Sequence, residues 1–290
     1  MNGELPKILV LIGGAQRSGT TLLQTLLAAA LGSPNLPEAH ILSDILASYK
    51  RARAFGNKTK YFYPTDDDLL SFFRSFAERH VADVNAGKPP ALVLKDPNFS
   101  QTLDEAAAIF PRATRIVSVR DPRDIAASFM RIGERESTKG KPERYAKRDI
   151  FFVSRKIRAS YESLLDDADA QHAVLVRYED LVRDPEGTLR KVGHDTGLEF
   201  SLDRIERAEW LEKGARHQDS WVTELEGTKP SPASVGSYAS ALRKDEIAIV
   251  QEYCEPVMRK FGYQLIDAPR PGRRGRVLGF FGVKARPGKH

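Results

Sequence analysis

One cysteine, Cys254, is all that the 290 residues contain, so no internal disulfide can form. A lone thiol fits a reducing compartment, and a cytoplasmic location is the expectation. The six histidines are scattered, without the Cys/His spacing of a zinc site, and no metal is expected. Long apolar runs are missing too. The first, Ile8 to Ile12, is far too short to cross a bilayer, and only Lys7 stands before it as a basic side chain, so neither a signal peptide nor an anchor is expected. Repeats, coiled-coil heptads and low-complexity stretches are likewise lacking outside the C-terminus.

Acids are missing from one region only. From Pro269 onward there are seven Lys or Arg and no Asp or Glu, so this stretch accounts for more than the whole net charge of +6. The remainder is nearly neutral, which argues against a nucleic-acid partner held by a broad basic face. We therefore expect one domain over residues 1–268 and a basic, Gly/Pro-rich tail over 269–290. The VLGFFGV stretch of that tail, Val277 to Val283, could touch a membrane surface or an acidic partner. A hydrophobic content of 41% supplies a sizeable core.

Short β-branched runs alternate with long amphipathic stretches, the pattern of parallel strands joined by helices. ILVLIGG (Ile8–Gly14) precedes TTLLQTLLAAAL (Thr20–Leu31), whose length and alanine content predict a helix. ALVLKD (Ala91–Asp96), RIVSVRD (Arg115–Asp121) and AVLVRYEDL (Ala173–Leu181) each precede another helical stretch, the last ending at Gly197. The expected fold is α/β, with a P-loop-like central parallel sheet flanked by helices on both faces and its ligand loops at one edge. Two polar insertions, roughly 50–64 and 134–148, are rich in Lys and Arg and read either as surface or as substrate loops.

Gly14 to Thr21, GAQRSGTT, has the form of an anion cradle, because backbone N–H groups of a glycine turn at a helix start converge on one oxyanion. In the register G-x-x-x-x-G-K-[ST], Thr20 stands where the lysine of a nucleotide-triphosphate loop belongs. Arg17 carries the positive charge instead, within the turn. Ser18, Thr20 and Thr21 add hydroxyls. A sulfuryl group carries less charge than a terminal phosphate and needs no Mg²⁺ bridge, so the missing lysine is coherent with sulfuryl transfer.

A strand, then R-S-G-T-T, then a helix resembles the 5′-phosphosulfate loop of sulfotransferases, with Gln16 where that family usually has proline. The resemblance runs from Ile8 to about Tyr263. It implies the donor 3′-phosphoadenosine-5′-phosphosulfate (PAPS), the product 3′,5′-ADP, and donor contacts from Arg17, Ser18, Gly19, Thr20 and Thr21. VRDPRDIAASF is similar to the family's second anion site, in which Arg120 and Ser128, eight residues later, would hold the 3′-phosphate. From the residues alone, Arg120 could instead pair with Asp121 or Asp124. RYEDL and KPSPASVGSY imply adenosine contacts from Tyr178, Ser234 and Gly236, although Ser237-Tyr238 stands where the family often has a basic residue and tryptophan.

Sulfuryl transfer needs a base for the acceptor hydroxyl and a positive charge on the departing oxygen. Motif layout is closest to the tyrosylprotein sulfotransferases and related bacterial enzymes, which implies Glu38 of EAHILSDIL as base and Lys95 of KDP as a catalytic lysine, with Arg17 beside the leaving group. His40 is the alternative base, since an imidazole suits proton transfer near neutral pH. Lys95 could also merely pair with Asp96, but adjacent strand residues point to opposite faces. The acceptor is expected to be a hydroxyl of a carbohydrate or glycoconjugate, with a protein tyrosine second. A P-loop kinase and a non-catalytic nucleotide-binding scaffold are the competing readings.

Overall fold

The computed structural model describes residues 4–85, 87, 89–138, 148–166, 172–207 and 230–268. The tail 269–290 and most of the 134–148 insertion lie outside them. Among the described residues there are four strands, β1 (Ile8–Gly14), β2 (Ala91–Lys95), β3 (Thr114–Val119) and β4 (Val174–Arg177). In chain order the helices are α1 (Thr20–Leu31), α2 (His40–Ala54), α3 (Asn57–Lys60), α4 (Asp66–Val84), α5 (Leu103–Ile109), α6 (Pro122–Thr138), α7 (Ile150–Ser160), α8 (Tyr178–Arg183), α9 (Pro185–Thr196), α10 (Tyr238–Ala241) and α11 (Lys244–Lys260). None of the described helices is long and apolar enough to cross a membrane. The described residues fall into two compact units, one of Met1–Asp121 with Ala159–Val235 and one of Pro122–Arg158 with Gly236–His290.

The first unit holds the sheet, entirely parallel in the order β2-β1-β3-β4. β1 reads as an unbroken apolar run because both of its faces are covered. Alternation divides its side chains: Leu9 and Leu11 join Leu92 and Leu94 against α2, α4 and α5, while Val10 and Ile12 join Val93, Ile116 and Val176 against α1 and α9. The expected α/β fold with helices on both faces is therefore present. Local signals fix the helix ends. α1 ends on Gly32 at φ 68°, and α4 starts at a capping box in which Thr65 and Asp68 bind each other's backbone N–H.

From β1 the chain moves outward to β2 and then returns past β1 to β3. The strand order thus reverses between β1 and β3, the point at the carboxyl ends of the strands where open α/β sheets bind ligands.

Two boundaries differ from expectation. The fourth strand stops at Arg177, and Tyr178 opens α8, because Glu179 and Asp180 place negative charge in a first helical turn. The 50–64 insertion is largely helical, since α2 continues to Ala54 and α3 follows.

In the second unit a buried ion pair ties α11 to the segment just before α7. Arg148 donates from Nε to one oxygen of Glu246 at 2.8 Å and from Nη2 to the other at 2.9 Å, and also binds Glu134 and the Ala241 carbonyl. Burial pushes the Glu246 carboxyl up, but the hydrogen bonds from Arg148 and from the Arg243 backbone outweigh it and hold the group below its ordinary value. A depressed carboxyl stabilises the fold fully above the ordinary carboxylate range and loses that contribution as pH falls through the depressed value. Arg148→Ala is expected to cost about 2 kcal/mol, because it removes two charge-assisted hydrogen bonds from the fully buried Glu246 and leaves it Arg243 alone as a partner. Urea denaturation at pH 7 and pH 3.5 checks this: the difference between variant and parent should shrink at the lower pH.

Candidate functional site

The loop after β1 is shaped by residues that side chains would spoil. Gly14 sits at φ 145°, with the Ser118 carbonyl oxygen 2.5 Å from where a Cβ would be. Gly19 sits at φ 95°, and a Cβ there would strike the Tyr178 ring. Between them Arg17 adopts φ 73°, a left-handed conformation that costs a non-glycine residue roughly 1–2 kcal/mol. Such strain at the head of a ligand loop persists because its surroundings enforce it. Ser118 Oγ donates to the Ser18 carbonyl at 2.7 Å, and the Tyr161 hydroxyl donates to the Ser118 carbonyl at 3.1 Å. Tyr161 is fully buried, which pushes its phenol up and keeps it a neutral donor. The loop thus rests on β3 through groups that carry no charge. Thr20 is buried and Thr21 half-buried at the start of α1.

Arg120, at the end of β3, is 6% exposed and reaches back over this loop. Its Nη1 donates to the Arg17 carbonyl at 3.0 Å and its Nη2 to the Ser234 carbonyl at 2.9 Å. The guanidinium lies 4.2 Å from the Tyr178 ring centroid, and the Tyr178 hydroxyl meets Ser234 Oγ at 2.7 Å. Neither of its hydrogen bonds goes to a carboxylate, so the alternative of a pair with Asp121 or Asp124 is not realised. Its Nε is buried without a hydrogen-bond partner among the described residues. A buried N–H left open on an arginine, beside a loop of left-handed glycines, fits an anionic ligand. Arg17, Ser18, Gly19, Thr20, Thr21, Arg120, Tyr178 and Ser234 all belong to the first unit.

Ser128 and Gly236 belong to the second unit. Ser128 is half-buried on α6. Gly236 has φ 74°, and its N–H donates to Asp124 Oδ2 at 2.8 Å, while the Tyr238 N–H donates to Asp124 Oδ1 at 2.9 Å. In that unit Gly236 is one of the groups that satisfy a buried aspartate. The role of Asp124 as organiser of the 236–238 segment is not visible in the sequence, where it reads only as a helix-start residue.

At the end of β2 two consecutive residues point to opposite sides and take different partners. Lys95, 5% exposed, donates from Nζ to Glu38 Oε1 at 2.8 Å and to Thr21 Oγ1 at 3.4 Å. The ammonium therefore joins the predicted base to the loop after β1. Asp96 is fully buried and accepts from the Asn98 N–H at 2.9 Å and from His40 Nδ1 at 2.8 Å. The pairing of Lys95 with Asp96 is not formed. The segment carrying Glu38 and His40 is pinned to β2 by the Ala39 N–H on the Lys95 carbonyl at 2.9 Å, and β2 to β1 by the Asp96 N–H on the Ile12 carbonyl at 3.1 Å. Glu38, Lys95, Thr21 and His40 are thus one connected set. Sequence reasoning missed Asp96 as part of it, although its place two residues before Asn98 in an Asp-Pro turn was a signal for a capping carboxylate.

Comparison with known proteins gives a consistent picture. A model of the sulfotransferase family matches residues 10–202. Carbohydrate sulfotransferase 2 of Mus musculus is 26% identical over 198 residues, 63% of this chain and 37% of that protein. The chain thus spans 37% of the length of this relative. Protein-tyrosine sulfotransferase 1 of Danio rerio is 27% identical over 269 residues, 90% of this chain and 73% of that protein. Among solved structures, the sulfotransferase domain from the curacin biosynthetic pathway superposes with a TM-score of 0.55 at 18% identity, covering 91% of this chain and 100% of that one. This last likeness concerns the fold.

Proposed function

We propose that this chain, which belongs to the sulfotransferase family, moves the sulfuryl group of PAPS to a hydroxyl of a carbohydrate or glycoconjugate by in-line displacement. The observation that carries the reading is the Lys95 ammonium, held between Glu38 and Thr21 of the Gly-Thr-Thr loop. It puts a carboxylate able to take a proton beside a loop able to hold a phosphosulfate. In the reaction the acceptor oxygen forms a bond to sulfur as the bridging S–O bond breaks, and the electron pair leaves with the phosphate. Glu38 takes the acceptor proton, and Arg17 and Lys95 neutralise the departing oxygen. Amides and hydroxyls of Ser18, Gly19, Thr20 and Thr21 hold the phosphate, while Arg120, with its open Nε–H, meets the 3′-phosphate. Tyr178 and Ser234 flank the adenosine. Ser128 and Gly236 are assigned donor contacts by the motif resemblance alone.

A carbohydrate acceptor is supported by the resemblance to a carbohydrate sulfotransferase and by the cationic residues of the 50–64 stretch, which suit a polar or anionic acceptor. A protein tyrosine is the second reading, favoured by the longer alignment with a protein-tyrosine sulfotransferase. Labelled PAPS incubated with a glycan fraction and a tyrosyl-peptide fraction decides between them by which takes the label. The donor is tested separately. At a hundred times its dissociation constant, 3′,5′-ADP should stabilise the protein by about 2.7 kcal/mol, read as a rise in Tm. Greater stabilisation by ATP with Mg²⁺ would sink the PAPS assignment, and 3′,5′-ADP binding without transfer to any acceptor would favour a scaffold.

A further inference from the structure

His40 is the first residue of α2, and its imidazole is used on both sides. Nδ1 lies 2.8 Å from Asp96 Oδ2, and Nε2 lies 3.4 Å from Glu38 Oε2. Along this line the carboxylates differ sharply in exposure. The Asp96 side chain is fully buried, the Glu38 side chain is 34% exposed, and the His40 side chain is 68% exposed. The other oxygen of Glu38 is occupied by Lys95, and the other oxygen of Asp96 by the Asn98 N–H. Each carboxylate therefore presents one oxygen to one imidazole nitrogen.

These three residues could also be taken for a metal site, since their ligand atoms lie within 4.8 Å of one another. The geometry suits a proton better. An ion can take only one imidazole nitrogen, whereas the two carboxylates face different ones.

We propose that Asp96, His40 and Glu38 form a proton exit relay, with His40 as a positioning and relay residue behind the base. This rests on Glu38 being the base. A buried aspartate receives the Nδ1–H, which fixes the neutral tautomer with a free lone pair on Nε2. That lone pair faces Glu38 Oε2. Once Glu38 has taken the acceptor proton, its carboxylic acid can hand it to His40 Nε2, giving an imidazolium between two carboxylates. The exposed ring then gives a proton to water, and Glu38 is a carboxylate again for the next cycle. No oxidant, metal or further reactant enters, and the proton lost by the acceptor is the proton gained by solvent. The charged groups in contact with His40 are Glu38 from the preceding segment and Asp96 from the end of β2, and Asp44 stands one turn along its own helix.

The test compares the parent chain with His40→Ala and His40→Gln. Turnover is read as PAPS hydrolysis, with water in place of the acceptor, and as transfer to whichever fraction takes label from PAPS. We expect a fall in kcat of about tenfold to a hundredfold in both variants with 3′,5′-ADP affinity unchanged. Free imidazole should restore turnover to His40→Ala and leave the parent unaffected. Parent-like kcat in both variants, or a loss that imidazole does not rescue, would overturn the relay. A second readout needs no turnover: ¹⁵N-histidine NMR of the ligand-free chain should place the neutral-ring proton of His40 on Nδ1. A proton on Nε2 would overturn the relay even in a fully active enzyme. A parent chain that binds 3′,5′-ADP but neither hydrolyses PAPS nor transfers label would instead count against the function proposed above.

Discussion

Glu38→Ala is expected to lower transfer from PAPS by about a hundredfold to ten-thousandfold while leaving 3′,5′-ADP binding intact, the range that removal of a general base produces. The asymmetry follows from the Lys95 contact. Lys95 is almost fully buried, and Glu38 is its carboxylate partner at 2.8 Å. Alanine removes the proton acceptor and leaves the ammonium facing the loop side, where an anionic ligand keeps it neutralised. Glu38→Gln separates two explanations of a loss. Glutamine keeps an oxygen for the Lys95 Nζ and keeps the shape, yet it has no carboxylate to accept a proton. If the carboxylate serves as base, glutamine should be nearly as inactive as alanine. Recovery with glutamine would mean that Glu38 only positions Lys95. Full activity in Glu38→Ala would remove Glu38 from the role altogether.

The strands β1 and β2 were legible because they are covered on both faces. ILVLI and ALVL are unbroken apolar runs, and each is followed by a loop whose glycine, proline or charged residues cannot continue a strand. The boundary at Tyr178 was not legible, since LVRYEDL fits strand by its apolar and aromatic residues and helix by its acids. In the structure the helix begins where the edge strand has no further partner.

The Gly-Thr-Thr loop was readable as an anion cradle from its register alone, but its left-handed Arg17 was not, because backbone conformation at a non-glycine position leaves no compositional trace. The contact between Lys95 and Glu38 joins residues far apart in sequence. Only the parallel pairing of β1 with β2, which sets Ile12 beside Lys95, brings the end of β2 to the level of the loop. The contact between Asp96 and His40 stayed hidden for the same reason. Each has a local explanation, a turn cap and a helix start, and the distance between their side chains is a property of the sheet rather than of either segment.

Arg120→Lys should weaken 3′,5′-ADP binding at least tenfold, about 1.4 kcal/mol, and should do so selectively. The arginine holds two carbonyls on separate segments, at Arg17 and Ser234, and sits over the Tyr178 ring, whose hydroxyl meets the same Ser234. One ammonium cannot reproduce that fork or the stack, so lysine keeps the charge and loses the arrangement. Two consequences can be told apart by a pair of ligands that differ only in the 3′-phosphate. If Arg120 meets that phosphate through its open Nε–H, the parent should prefer 3′,5′-ADP over 5′-AMP, and the variant should lose most of that preference. If Arg120 only braces the loop, both ligands should weaken by the same factor and the preference should survive. Titration of both nucleotides against both proteins gives the ratio directly. An unchanged ratio would assign Arg120 to the scaffold of the loop and move the 3′-phosphate to other residues.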